Sequence, residues 1–141
     1  MVDVSSKAPT RRVARASCLL ALPAGIVGEL ERLPKGDALA VARVAGIQAA
    51  KRTAEWIPLA HPLPLERVAI EFERRASGLG IRSEVVVTAR TGAEMEALVA
   101  CAAAALAVYD MVKAAARGAE ITELRLESKS GGASGDWVRG G

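Results

Sequence analysis

Val68-Ala69-Ile70-Glu71-Phe72-Glu73, then Ser77-Gly78, then Ile81-Arg82-Ser83-Glu84-Val85-Val86-Val87-Thr88-Ala89-Arg90, is the stretch from which the fold can be read. Successive side chains of a strand point to opposite faces, so Val68, Ile70 and Phe72 define one face and Ala69, Glu71 and Glu73 the other. The second run is again β-branched and partly alternating, and a Ser-Gly break between two such runs predicts a hairpin. Downstream, Gly92 precedes a helical stretch from Ala93 to about Ala116, with Gly118 where a left-handed cap is expected. Ile121, Leu124 and Leu126, set among charged residues, predict a further short strand.

Upstream, Val13 to Leu22 reads as a first strand, and Pro23-Ala24-Gly25 opens a short helix through Leu33. Pro34-Lys35-Gly36 breaks it, Asp37 caps a second helix running to about Trp56, and Pro58, Pro62 and Pro64 impose a loop. The order is β, α, α, β, β, α, β. With the short first helix set aside, this is the βαββαβ pattern of an α+β ferredoxin-like sandwich, an antiparallel sheet with helices on one face. A chain of 141 residues suits one domain, with residues 1–10 as an extended arm and residues 130–141 as a Gly-rich tail.

Hydrophobic residues make up 51% of the chain but aromatics only 3%, so the core must be built from Ala, Val, Leu and Ile. A net charge of +3 is too small to point to duplex DNA, and an RNA-binding sheet would need aromatic platforms where only Phe72 is available. Cys18 and Cys101 lie far apart and His61 is the single histidine, which excludes a zinc framework by spacing. Arg11 and Arg12 ahead of Ser17 to Leu22 loosely mimic a signal peptide, but Asp3, Arg15 and Pro23 spoil the pattern and favour the cytoplasm. The apolar run Ala97 to Tyr109 is too short to span a bilayer and reads as a buried helix.

Asp110 and Lys113 stand three residues apart and so share a helix face, an arrangement suited to acid–base work and equally to a structural ion pair. Lys35, Arg43, Lys51 and Arg52 form a basic set around the second helix that suits phosphate, or a solvated helix face. His61 sits in a loop stiffened by prolines, where an imidazole could exchange a proton or serve structure. Lys129, ahead of Ser130-Gly131-Gly132, could hold an anion with backbone N–H groups, or belong to a free tail.

Several words of the sequence resemble the MoaC family of cyclic pyranopterin monophosphate synthases. They are Met1 to Lys7, Lys35-Gly36-Asp37, Ala45 to Thr53, Ile57 to Leu63, Thr91 to Leu98, Tyr109 to Lys113 and Lys129 to Gly132. The resemblance implies conversion of a cyclic dihydroguanosine triphosphate to cyclic pyranopterin monophosphate with release of diphosphate, a lyase step of molybdenum cofactor biosynthesis. It implies that Asp110 and Lys113 are catalytic, that Lys35, Lys51 and Lys129 serve phosphates or proton transfers, and that Leu59, Ala60, His61, Met95 and Glu96 contact substrate. No redox cofactor or protein-bound metal is called for, and Mg²⁺ would enter only with the triphosphate. Two departures stand out: Ala60 where the family usually has Cys, and Ala133 where a second Lys is usual. The family's assembly is a homohexamer, a trimer of dimers. Met95 and Asp110 are fifteen residues apart on one helix, roughly 22 Å at the rise of an α-helix. A pocket using both would therefore draw them from different subunits.

Overall fold

A computed structural model describes residues 1–140. Its elements run β1 (Thr10–Ala21), α1 (Ala24–Val27), α2 (Ala38–Lys51), α3 (Thr53–Trp56), β2 (Leu65–Arg75), β3 (Gly78–Ala89), α4 (Glu94–Val112), β4 (Glu120–Ser130) and β5 (Trp137–Val138). The strands form one antiparallel sheet in the order β2-β3-β1-β4-β5. The first four give the ferredoxin-like arrangement, and β5 adds a short edge strand within the segment after Ser130.

Alternation decides which face is covered. Ala14, Ala16, Cys18 and Leu20 of β1 are buried with Leu79, Ile81, Val85 and Val87 of β3 beneath α4. The opposite face carries charge: Arg15 and Arg67 both pair with Glu84, and Arg82 with Glu71. Exposed pairs of this kind contribute little each, so the covered face supplies the stability.

β4 departs from regular pairing. Ser17 pairs with Arg125 and Leu19 with Thr122, so two residues of β4 oppose Cys18 alone, and Glu123 takes a left-handed φ of 56°. A second irregularity lies between Arg15 and Ala16. Bulges insert a residue and shift the alternation. Ile121 and Leu126, an odd number of positions apart, consequently both pack on the core, while Leu124 is turned out.

α4 is long and apolar enough to cross a membrane, but it is the core helix: Ala97, Ala100, Cys101, Ala104, Ala105 and Val108 are fully buried. The expected left-handed cap at Gly118 is not formed. Gly118 has no positive φ, and α4 ends at Val112 in a tight turn in which the N–H groups of Ala115 and Ala116 both donate to the Val112 carbonyl. The second helix also ends sooner than its composition suggests, since Arg52 leaves helical geometry and α3 follows as a separate turn. Asp37 does cap α2, its Oδ1 accepting from the Ala40 N–H at 3.1 Å.

α2 approaches α4 at Gly46. A Cβ placed there would lie 2.9 Å from the Ala100 carbonyl oxygen and 3.0 Å from Ile70 Cδ1. Gly46→Val should therefore lower unfolding free energy by roughly 1–3 kcal/mol through overpacking. Gly118→Ala, with open space around its Cβ position, should be neutral or stabilising by up to about 1 kcal/mol. Urea melts with unchanged slope would check both.

Candidate active site

Lys35 is placed by a tight turn. Leu33 and Gly36 exchange backbone hydrogen bonds, and Gly36 takes a φ of 116° that a side chain would strain, leaving Pro34 and Lys35 at the tip. From there Lys35 Nζ reaches the last turn of α4, donating to Asp110 Oδ2 at 2.9 Å and to the Asp110 carbonyl at 3.2 Å. Lys113 Nζ donates to the other carboxylate oxygen, Oδ1, at 2.8 Å.

A carboxylate in the final turn of a helix faces the negative end of the helix dipole. Two ammonium groups more than offset this: hydrogen bonds from Lys113 and then Lys35 hold the Asp110 carboxyl down at about 2, and Asp110 in turn raises Lys113. All three side chains are about half exposed. The trio thus sets one carboxylate between two ammonium groups on an open surface, with a net positive charge toward any arriving anion.

At the other end of α4 lies a different environment. Ala60, His61, Thr91, Gly92, Met95 and Glu96 line a cavity of about 150 Å³. Glu96 is almost wholly buried, and burial pushes its carboxyl up to about 6, with a further push from Glu94 and partial relief from its own backbone N–H. His61 Nε2 lies 2.9 Å from the Val2 carbonyl of the N-terminal arm. Leu59 is exposed beside that arm, sharing a hollow with Met1, Val2 and His61. Lys129 Nζ sits 3.4 Å from Glu94 Oε1 and donates to Ser134 Oγ at 3.3 Å, while the Gly131 N–H donates to Asp136. The anion-holding groups expected around Lys129 thus carry internal partners.

The basic set read from the second helix is divided. Lys35 joins Asp110 at one end of α2, whereas Lys51 lies at the other, in a hollow with Ile47, Leu63 and Pro64. Arg43 is used inside the fold, its Nε donating to the Ile70 carbonyl and its guanidinium lying 5.2 Å from the Phe72 ring centre. The Lys35–Asp110 pairing, across 75 positions, had no signal in local spacing. Glu96 was marked only by the family resemblance, and nothing in its sequence context signals its burial. Among the described residues no cluster of three or more His, Cys, Asp or Glu side chains could hold a metal.

The fold is thus of the ferredoxin-like α+β class, and it carries an ion-paired carboxylate and a buried carboxyl at opposite ends of one helix. The chain belongs to the MoaC family, whose sequence profile matches residues 1–132. It is 52% identical to the cyclic pyranopterin monophosphate synthase of Corynebacterium efficiens, over 97% of this chain and 90% of that protein. The synthase of the same name from Streptomyces coelicolor is 52% identical over 99% of this chain and 83% of its own length. That of Herpetosiphon aurantiacus is 52% identical over 97% and 86%.

Two outcomes follow from the charges. Lys113→Ala should raise the Asp110 pKa from about 2 toward its ordinary value, because the largest lowering contribution is removed; a ¹³C carboxyl titration reads this directly. Glu96 works in the opposite sense. Its folded pKa is raised from 4.5 to about 6, so its contribution favours folding below the lower value and is lost as pH rises through the upper one. Glu96→Gln should therefore flatten the stability profile between those values and stabilise the fold at neutral pH, by roughly 1–2 kcal/mol, in denaturant melts.

Proposed function

We propose that this chain is a cyclic pyranopterin monophosphate synthase, a lyase that converts the cyclic dihydroguanosine triphosphate to cyclic pyranopterin monophosphate with loss of diphosphate in molybdenum cofactor biosynthesis. The observation that carries the reading is near-full-length identity of about half to synthases of that name, together with the paired Asp110 and Lys113 at the end of α4. Ring rearrangement needs protons moved between neighbouring atoms, and an ionised carboxylate bonded to an ammonium can accept one and return one. By resemblance, Asp110 is the catalytic acid or base and Lys113 its partner. Departure of diphosphate builds negative charge, which Lys35, Lys51 and Lys129 neutralise at fixed positions. Lys129 exchanges Glu94 for phosphate when substrate enters. The reaction draws on no redox cofactor, and any Mg²⁺ would arrive with the triphosphate.

The active unit is an oligomer, by resemblance a hexamer, whose pockets are shared between subunits. In support, the Asp110 trio and the His61–Met95–Glu96 cavity occupy opposite ends of a 19-residue helix. The neighbouring hollow, which shares His61 and Thr91 with that cavity, leaves Leu59, Met1 and Val2 exposed, as surfaces awaiting cover. The compartment is the cytoplasm, in keeping with two free, buried cysteines.

The direct test is diphosphate release from the upstream enzyme's cyclic triphosphate product. A folded Asp110→Asn protein should lose turnover, and near wild-type release would remove Asp110 from the chemistry. Inactive Asp110→Ala and Glu96→Ala chains, unfolded together and reassembled, should recover partial activity, because some mixed pockets carry neither change. Mixed oligomers that form and stay inactive would confine the site to one chain.

A further inference from the structure

The N-terminal arm precedes β1 and contributes nothing to the sheet, yet it has a defined shape. Asp3 Oδ1 accepts from the Ser5 N–H at 2.9 Å and the Lys7 N–H donates to the Val4 carbonyl at 3.0 Å, forming two consecutive turns. These turns carry Val2 back over the proline loop, where its carbonyl meets His61 Nε2 at 2.9 Å. A carbonyl oxygen can only accept, so the contact requires the proton on Nε2. In the neutral ring Nδ1 is then a bare acceptor, and it has no hydrogen-bond partner among the described residues.

The ring stands on a shared wall. His61 lines both the arm-side hollow of about 470 Å³, with Met1, Val2, Val4 and Lys7, and the cavity of about 150 Å³ with Met95 and Glu96. One nitrogen is thereby occupied by the arm, while the same residue borders the cavity. The family match begins at residue 1, so the arm lies inside the matched region.

We propose that the arm is a positioning element of the site: the Val2 carbonyl locks His61 with its proton on Nε2, so that Nδ1 accepts a hydrogen bond from an N–H or O–H group of the substrate. The role of substrate rests on the reading given above; the lock itself does not. Which ring nitrogen carries the proton is set by the bond that the other nitrogen or its partner makes, and a ring free to rotate or change tautomer would present donor and acceptor alternately. Val2 acts through its backbone carbonyl, so the contact with His61 itself does not depend on the Val2 side chain.

His61 is the only histidine in the chain, so imidazole signals in a ¹H–¹⁵N spectrum of the ligand-free protein belong to it alone. The full chain should show a resolved, slowly exchanging Nε2–H. Deleting residues 1–3 should lose that signal to exchange, and Asp3→Ala, which removes the turn without shortening the chain, should weaken it. Val2→Ala, which keeps the carbonyl, should retain it. A missing Nε2–H in the full chain, or one indifferent to the deletion, overturns the proposal. In diphosphate release, the deletion should cost roughly ten- to a hundredfold in kcat. Unchanged turnover after the deletion overturns the positioning role. A full chain that releases no diphosphate yet shows the arm-dependent Nε2–H signal sinks the functional reading and leaves the lock standing.

Discussion

Everything in this fold depends on burying α4. Its middle offers only small apolar groups, with Ala97, Ala100, Cys101, Ala104 and Ala105 all sealed, and a helix of small residues gains little from each contact unless its neighbours come close. They do so on two sides. β1 and β3 supply Ala14, Ala16 and Ile81 beneath it, and α2 brings Gly46 against the Ala100 carbonyl. Small side chains on both partners allow a dense interior in a chain almost without aromatic rings.

That burial also dictates where polar chemistry can occur. A charged group in the middle of α4 would be desolvated without partners, so titratable residues collect at its two ends. The ends then diverge. Asp110 sits in the open with an ammonium on each oxygen and remains ionised, while Glu96 is enclosed against the first turn and holds its proton to about pH 6. Two carboxyl groups of one helix are thus driven apart in acidity by solvent and partners alone, which is how one scaffold provides distinct proton-transfer environments.

The elements themselves were legible in the chain. Period-two runs at 68–73 and 81–90 specify the hairpin, Asp37 announces the start of α2, and the apolar run from Ala97 marks the core helix. What local patterns missed was set by pairing. The bulge at Glu123 exists because β4 must match β1 on one side while keeping Ile121 and Leu126 on the core, a demand invisible within β4. Likewise Trp137–Val138 is too short to show periodicity and is a strand only because the β4 edge offers Ser128 and Lys129 to pair with.

For the site, the sequence by itself determined the family and the Asp110–Lys113 adjacency, since residues three apart on a helix must share a face. Tertiary structure alone decided that Lys35 joins them, that Arg43 is spent on the Ile70 carbonyl and Phe72, and that His61 answers to the arm. It also decided that Glu96, one acidic residue among two in the first turn of α4, is the buried one. Local spacing fixes angles around one helix, but a partner dozens of residues away and the water left around a carboxyl are properties of the packed chain. Those two quantities set the charge each group carries.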